Sequence, residues 1–199
     1  MITFIAAWYY DDKHKYVPVL PISLQAQTYP DWELILLHDG PVSPLAHSYC
    51  EFFKTEPRIR FIETPRRLEQ WGHPLRELGY NYISDDSDFI IHTNADNYYL
   101  PTFLNEMIKT IRPQDVGIFC DCLHSHHNYK DIFKAKLCRA GIDLGCMMFR
   151  TRVAMEAGFK HRNFEADWEF FEEVVERYSD KLFGDQGIAY LMKPLFVHN

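Results

Sequence analysis

The stretch SLQAQTYPDWELILLHDG, residues 23–40, decides the fold class. Its central TYPD, residues 28–31, is a turn signal, because proline and aspartate both favour a reversal of the chain. The apolar run WELILL that follows, residues 32–37, predicts a buried strand, which ends at the tetrapeptide HDGP. A turn that leads from a helical pattern into a buried strand is typical of the repeating unit of α/β proteins.

The flanking sequence repeats this alternation in both directions. Upstream, Ile2–Trp8 is apolar almost throughout and predicts a strand covered on both faces, while residues 16–27 predict a helix with Pro18 and Pro21 near its first turn. Downstream, strands are predicted at residues 60–62, 88–93, 116–120 and 146–149, and helices at residues 74–82, 101–111 and 167–178. The pattern predicts a single α/β domain with a Rossmann-like, mostly parallel mixed sheet and helices on both faces.

Composition and charge exclude several function classes. The chain has 199 residues with 47% apolar and 25% charged side chains, which is the balance of one globular domain. Its net charge of −7 argues against a nucleic-acid partner, because phosphate contacts need a basic surface. We expect no transmembrane segment, since no apolar stretch reaches the ~18 residues of a span, and no signal peptide. An odd count of five cysteines fits a reducing compartment, so we expect a cytoplasmic protein.

Polar side chains gather where the predicted strands stop. Such clusters occupy residues 9–12, 38–39, 94–97 and 120–127. In a sheet of this kind the ligand site lies beyond the carboxyl ends of the strands. The carboxylate of Asp96 and the amides of Asn94 and Asn97 offer hard oxygen ligands that suit Mg²⁺ or Mn²⁺, although the same residue types also form ordinary turns. The clusters therefore predict one site at this edge of the sheet.

Five motifs follow one another in an order that resembles a known family. Residues 23–40 read S-L-x-x-Q-T-Y-P-x-W-E and end in Asp39-Gly40, and FIIHTNADNYYLP, residues 89–101, places an acid after a strand. The segment IDLGCMMFRTRVAMEAGF, residues 142–159, then EADWEF, residues 165–170, and the closing FVHN come next. This series resembles the motifs of family 2 glycosyltransferases, which have the GT-A nucleotide-diphospho-sugar fold. The resemblance covers nearly the whole chain and implies that fold for it.

The resemblance also implies roles for individual residues. Asp39 stands where the family holds the uracil or ribose, Asp96 where it ligates the metal that bridges the phosphates, and His198 where a late histidine binds the same ion. Asp167 corresponds to the base that takes the proton of the acceptor hydroxyl. The remaining nucleotide-binding positions are Tyr9, Tyr10, Gly72, Arg76, Asn94 and Ala95, and those on the sugar or acceptor side are His124, His126, His127, Gly145 and Trp168.

The function implied is transfer of a sugar from a nucleotide-sugar, which we expect to be a UDP-sugar, to a saccharide or another hydroxyl acceptor. The family precedent implies a Mn²⁺ or Mg²⁺ cofactor and inversion by single displacement, with residues 1–100 as the nucleotide-binding half and residues 101–199 as the acceptor and catalytic half. The sugar, the acceptor and the formation of a homodimer stay open. The alternative is a sugar-nucleotide-binding protein that has lost transfer or hydrolyses its donor slowly, because His38, Asn94 and Asn97 replace acids of the family pattern.

Two features allow competing interpretations. The thiols and imidazoles of CDCLHSHH, residues 120–127, are of the type that holds structural Zn²⁺, but the C-x-C spacing is tighter than usual and no second cysteine pair follows. A cleft-lining histidine cluster and a solvated loop are the other interpretations. Asp167 begins a predicted helix, where it is either a helix cap or the base. The positive helix end predicts a carboxylate that is ionised at neutral pH and weakened as a base.

Overall fold

The computed structural model describes residues 1–11, 13, 15, 17–182 and 187–199, and nine strands and six α-helices run through these residues. The strands are β1 Ile2–Trp8, β2 Trp32–His38, β3 Ile59–Glu63, β4 Phe89–Asn94, β5 Tyr98–Tyr99, β6 Gly117–His124, β7 Ile132–Phe133, β8 Met147–Arg150 and β9 Ile188–His198. The helices are α1 Leu20–Gln25, α2 His47–Phe53, α3 His73–Gly79, α4 Phe103–Thr110, α5 Thr151–Ala157 and α6 Ala166–Leu182.

The strands form one mixed sheet in the order β3-β2-β1-β4-β8-β6-β9-β5, with β7 paired to β6. The neighbours β3, β2, β1 and β4 are parallel, β8 is antiparallel to both of its neighbours, and β9 is parallel to β6. The chain runs outward from β1 to β3 and then returns to β4 on the other side of β1. This reversal of strand order lies between β1 and β4, where Ala7 is in register with Asn94, and such a switch point is where open α/β sheets bind ligands.

Alternate residues of the central strands supply two separate cores. Every residue of β1 and β2 is buried, because helices cover both faces of the sheet. Phe4, Ala6 and Trp8 pack in the core beneath α1, α2 and α4, whereas Ile5 and Ala7 pack in the core beneath α3, α5 and α6. The predicted α/β architecture with helices on both faces is therefore confirmed.

Several predicted boundaries are wrong for identifiable reasons. The helix predicted over residues 16–27 is only Leu20–Gln25, since Pro18 cannot continue a helical turn and the only proline inside the helix, Pro21, lies in its first turn. Tyr16, where that prediction began, and Asp12, in the first polar cluster, lie outside the described residues. Strand β6 continues to His124, four residues beyond the predicted end at Cys120, because β9 pairs with it along this length.

Five elements have no counterpart in the sequence prediction, namely α2, α5, β9 and the two-residue strands β5 and β7. Helices α2 and α5 are short, with seven residues each, and their apolar positions are too few to give a periodic signal. Strand β9 mixes buried, half-buried and exposed residues without a regular alternation, so its pairing with β6 and not its own pattern makes it a strand. Among the described residues, no helix is both long and apolar enough to cross a membrane.

Candidate active site

A cleft of about 1080 Å³ opens beyond the carboxyl ends of β1, β2 and β4. Most of the site residues predicted from the sequence line it, namely Tyr9, Asp39, Gly72, Arg76, Asn94, Ala95, Asp96, His124, His126, Asp167, Trp168 and His198. They come from both halves of the chain, so the fold brings together motifs that are up to 189 residues apart in sequence (Tyr9 and His198). The polar clusters at the strand ends thus meet in one place.

Three predicted site residues do not line the cleft. Tyr10 is only 8% exposed and packs against Trp8 and Tyr49, because side chains at the end of β1 alternate and Tyr9 takes the outward direction. Gly145 is buried, and a Cβ there would lie 2.5 Å from the ring of Phe196, so close packing and not ligand contact requires this glycine. His127 is exposed outside the cleft lining.

Asp39 holds the loop that forms one wall of the cleft. Its Oδ1 accepts the backbone N–H of Leu68 at 2.6 Å, and its Oδ2 accepts that of Glu69 at 2.9 Å. The side chain is almost fully buried. Arg67 lies beside it, with Nε 3.5 Å from Oδ2, and stacks its guanidinium 3.7 Å above the ring centre of Tyr9. In this structure, therefore, Asp39 orders the loop and Tyr9 faces a cation.

His38, which replaces an acid of the family pattern, joins β2 to the chain after β1. Its Nδ1 donates to the carbonyl of Gly40 at 2.7 Å, and its Nε2 accepts the N–H of Tyr10 at 3.3 Å. Burial lowers the pKa of His38 below its usual value, which matches a ring that uses one nitrogen as donor and the other as acceptor. A neutral histidine therefore fixes this corner of the cleft.

Arg76 connects the same wall to the end of β4. Its Nη2 donates to Oδ1 of Asn94 at 2.6 Å, and its Nη1 donates to the carbonyl of Trp71 at 3.0 Å. The guanidinium is 98% buried, so its positive charge acts across the cleft floor on Asp143 and Asp167 with little screening by water. Asn94 is thereby engaged by Arg76.

Gly72 allows the cleft wall to approach β1. Its φ of +78° is in the left-handed region, and a Cβ at this position would lie 2.6 Å from the Cβ of Ala7.

We expect Gly72→Ala to lower the free energy of unfolding by about 2–4 kcal/mol, the sum of the left-handed penalty and the steric conflict with a buried strand. Urea denaturation of the wild type and of Gly72→Ala measures this difference in the free energy of unfolding. The control Ala140→Gly, at φ +58°, should not destabilise; equal midpoints for wild type and Gly72→Ala would contradict the argument.

The end of the chain is tied to the loop that carries Asp96. Asn199 donates its backbone N–H to Oδ1 of Asn97 at 3.1 Å and its side-chain Nδ2 to the carbonyl of Asp96 at 2.6 Å. Burial raises the pKa of Asp96 above its usual value. His198 therefore lies beside the loop of Asp96 and is held in strand β9.

The metal-ligating groups come closest together around Asp143. His124 and His198 are in register on β6 and β9, and their rings stack with centres 4.0 Å apart. Oδ2 of Asp143 lies 3.8 Å from Nε2 of His124 and 3.6 Å from Nε2 of His198. Among the described residues, this group has ligand atoms within 4.8 Å of one another, and Asp96 is not part of it. Asp143 was not among the site residues predicted from the sequence.

Hydrogen bonds distinguish the two histidines. Nδ1 of His124 accepts the N–H of His126 at 3.1 Å, so the proton of a neutral ring is on Nε2, the atom that faces Asp143. Nδ1 of His198 lies 3.2 Å from the hydroxyl of Ser125, to which it can donate, and this leaves a lone pair on Nε2. Burial lowers the pKa of both rings to about 4 and raises that of Asp143 to about 6. The oxygen of Asp143 and the Nε2 atom of His198 therefore fit a divalent cation, and Nε2 of His124 lies beside them at 3.8 Å from Asp143, beyond hydrogen-bond distance.

Asp167 presents a buried carboxylate oxygen that has no hydrogen-bond partner among the described residues. It lies in the first turn of α6, and its Oδ1 is buried with no hydrogen-bond partner in the described part of the chain. The nearest ring nitrogen, Nδ1 of His73, is 3.9 Å away, and burial together with Arg76 lowers the pKa of His73 to about 3, so that ring is neutral. Burial raises the pKa of Asp167 to about 6, opposed by the charge of Arg76. The expectation that the helix end weakens this base is therefore wrong.

The zinc interpretation of residues 120–127 finds no support in the geometry. Cys120 and Cys122 are fully buried in the core beneath α1, whereas the histidine of the same strand, His124, faces Asp143. Cys120 and Cys122 do not belong to the group of metal-ligating atoms found among the described residues. The two cysteines pack as small apolar side chains.

Comparison with known proteins identifies the family. Residues 10–153, more than two thirds of the chain, match the model of Glycosyl transferase family 2. The chain belongs to glycosyl transferase family 2. The family model covers Asp39, Arg76, Asp96 and Asp143 and ends before Asp167 and His198. No curated protein is similar enough in sequence to count as a match.

Solved structures of GT-A glycosyltransferases share the fold of this family 2 chain. S. aureus TarS 1–349 in complex with UDP has a TM-score of 0.76 and 13% identity, and the match covers 100% of this chain and 60% of that one. The same protein in complex with UDP-GlcNAc has a TM-score of 0.74 and 12% identity, and the match covers 100% of this chain and 58% of that one. The mannosyltransferase PcManGT from Pyrobaculum calidifontis in complex with GDP-Man and Mn²⁺ has a TM-score of 0.69 and 12% identity, and the match covers 98% of this chain and 56% of that one. This chain spans less than two thirds of each of these structures.

The family motifs alone would not have found all the residues that line the cleft. Besides Asp143, the lining includes Trp71, His73, Arg139 and Phe164. Asp143 had a usable signal, because it is an acid two residues before the buried glycine of the family 2 segment IDLG. Trp71 and Phe164 had none, since an isolated aromatic residue in a loop is not distinguishable from a core residue by sequence.

Proposed function

We propose that this family 2 domain transfers a sugar from a nucleotide-sugar, with UDP as the nucleotide, to an acceptor hydroxyl. Support comes from the family, from the cleft at the switch point of the sheet, and from the fold shared with transferases whose structures contain UDP, UDP-GlcNAc or GDP-Man. Residues 1–100 supply most of the nucleotide side and residues 101–199 most of the acceptor side in this proposal. The acidic cleft and the net charge of −7 favour a small-molecule donor over nucleic acid.

The observation that carries the proposal is the unpartnered carboxylate oxygen of Asp167. A buried polar atom without a partner costs free energy, so its persistence in a cleft indicates a ligand group that completes it. The pKa of about 6 leaves Asp167 ionised at neutral pH and makes it a stronger base than an exposed aspartate. We assign it as the general base for the acceptor hydroxyl.

The proposed reaction is a single displacement. The acceptor oxygen forms a bond to the anomeric carbon while the bond from that carbon to the nucleotide phosphate oxygen breaks. The acceptor proton goes to Asp167, and the nucleoside diphosphate leaves with the electron pair of the broken bond. Attack from the face opposite the leaving group inverts the anomeric configuration. One base and one leaving-group site are sufficient for this chemistry, and Asp167 and the Asp143–His198 group supply candidates for the two.

A divalent cation, Mn²⁺ or Mg²⁺, fits the donor set formed by Asp143 and His198, with Asp96 on the adjoining loop. When bound, such an ion would neutralise charge on the leaving diphosphate. Nε2 of His198 and Oδ2 of Asp143 lie 3.6 Å apart, an arrangement that a shared cation would stabilise.

Nucleotide release from UDP- and GDP-sugars in the presence of Mn²⁺ or Mg²⁺ tests the proposal. We expect release of UDP that increases when saccharide acceptors are added. Absence of both binding and release for every donor would contradict it.

The second candidate function is a binding protein without transfer. It is favoured by the hydrogen bonds of Asn94 with Arg76 and of Asn97 with Thr93 and Asn199. Nucleotide binding that no acceptor converts into turnover would support that candidate.

The pH dependence of transfer follows from the pKa of Asp167. Because the carboxylate must be ionised to accept the proton, kcat/KM should fall about tenfold per pH unit below pH 6 and be level above it. The measurement is kcat/KM for UDP-sugar between about pH 5 and 8 at saturating metal. A profile that stays flat to pH 5 would contradict the assignment of Asp167.

A further inference from the structure

One wall of the cleft is built from strained backbone. Glu69, Gln70 and Trp71 have φ values of +59°, +53° and +54°, and Gly72 follows at +78°. Residues with side chains rarely adopt this region, and three in succession persist only where the surrounding structure fixes them. The segment of residues 69–72 is therefore held in place by something outside itself.

Two buried side chains hold that segment from opposite ends. Asp39 accepts the N–H of Glu69, and Arg76 donates to the carbonyl of Trp71 at 3.0 Å. Both side chains are at least 94% buried, so these bonds do not compete with water. These two bonds fix the backbone of residues 69–71 and thereby place Trp71 on the cleft wall.

Trp71 is the most exposed of the four tryptophans. Its side chain is 62% exposed, whereas Trp8 and Trp32 are about 2% and 1% exposed in the core. The ring of Phe164, 73% exposed, lies 6.1 Å away at an angle of 73°, three residues before Asp167. Two adjacent large aromatic faces are thus open to the cleft beside the proposed base, and contiguous exposed apolar surface of this kind marks ligand-binding grooves.

The charges around these rings select the kind of ligand. Glu69, Glu165 and Asp167 line this end of the cleft, against two cations that already have partners. Arg139 is paired with Glu165, and Arg76 donates to Trp71 and Asn94. The excess of carboxylates opposes an anionic ligand and favours one with many hydroxyl donors. A ligand with a flat apolar face and polar edges fits both the rings and the carboxylates.

We propose that Trp71 and Phe164 form the binding site for a neutral pyranose ring of the acceptor. The C–H face of the sugar packs on the indole, and its hydroxyls reach the carboxylates, one of them Asp167. Asp39 and Arg76 then act on the acceptor as positioning residues through Trp71. This inference rests on the proposed function, and it narrows the acceptor from any hydroxyl compound to a cyclic sugar.

Fluorine NMR of 5-fluorotryptophan-labelled protein tests the site. The chain has four tryptophans, and Trp71→Phe identifies the resonance of Trp71 by its loss. Protein with UDP and Mn²⁺ is titrated with methyl pyranosides of glucose, galactose, mannose and N-acetylglucosamine, and with sorbitol as the acyclic counterpart of glucose. We expect saturable movement of the Trp71 resonance with at least one pyranoside and none with sorbitol. In Trp71→Leu, saturation-transfer NMR should show binding weaker by about tenfold, with Phe52→Leu, an exposed aromatic outside the cleft, unchanged.

Three results would overturn the inference: no movement with any pyranoside, equal movement with sorbitol, or movement complete with UDP and Mn²⁺ alone. The last result would assign Trp71 to the nucleobase. Calorimetry of UDP with Mn²⁺ on the same labelled protein separates this outcome from failure of the proposed function. Bound UDP with an unresponsive Trp71 rejects the acceptor site only, and unbound UDP rejects the donor assignment.

Discussion

Asp167→Asn is expected to lower the rate of sugar transfer by about a thousandfold and to leave UDP binding with Mn²⁺ unchanged. The amide keeps the shape of the side chain but cannot accept the proton of the acceptor hydroxyl. Because Asp167 lies in the first turn of α6 and its Oδ1 has no partner in the described chain, no structural bond is lost. Single-turnover transfer and calorimetric UDP binding, measured on the same preparation, check the two halves of this prediction.

The matched control is Glu172→Gln, which converts an exposed carboxylate of the same helix into an amide away from the cleft lining. Its transfer rate should equal that of wild type. Stability gives a second check. Because the pKa of Asp167 is raised in the folded state, its ionisation lowers the free energy of unfolding of the protein as the pH rises towards 6. Asp167→Asn should therefore be at least as stable as wild type at neutral pH, and a transfer rate within tenfold of wild type would contradict the base assignment.

Asp96→Asn and Asp143→Asn are expected to abolish the metal dependence of UDP binding and to lower transfer by about a thousandfold each. Asp96 supplies the formal charge of the loop of residues 94–97, and Asp143 faces His198 at 3.6 Å. Their phenotype differs in kind from that of Asp167→Asn, which retains donor and metal. UDP titrations with and without Mn²⁺ measure the difference.

Asp131→Asn is the control for these two variants, because Asp131 is exposed and outside the cleft lining. It should bind UDP and turn over as wild type does. If Asp96→Asn and Asp143→Asn both keep metal-dependent UDP binding at the wild-type level, the site assignment is wrong. If only Asp96→Asn does so, the metal is held by Asp143 and His198, and the role implied for Asp96 by the family motif is wrong.

The parts of the fold that were predictable depend on local pattern. β1 and β2 are continuous apolar runs, so their burial on both faces could be inferred from seven residues at a time. The convergence of Asp39 and Asp96 on one cleft follows from strand–helix alternation, because the carboxyl ends of parallel strands meet at one edge. Asp167 lies in the first turn of α6, and only the family resemblance assigned it to the same site. These inferences need no knowledge of which distant segments touch.

The parts that were not predictable depend on pairing between distant segments. His124 faces His198 only because β6 pairs with β9 in this register, and neither strand's own sequence specifies that register. The pKa of Asp167 rises because distant segments bury it, which outweighs the local helix end that predicted the opposite sign. Tyr9 and Tyr10 were indistinguishable until the direction of the last residues of β1 was known.

Calorimetric titration of the wild-type protein with UDP, once with Mn²⁺ and once with a chelator, tests the central claim most directly. We expect saturable binding with Mn²⁺ that weakens by tenfold or more when the metal is removed, because in the proposed site Asp143 and His198 would hold the ion against the diphosphate. Binding of equal strength with and without the metal, or no binding of UDP in either condition, would contradict it.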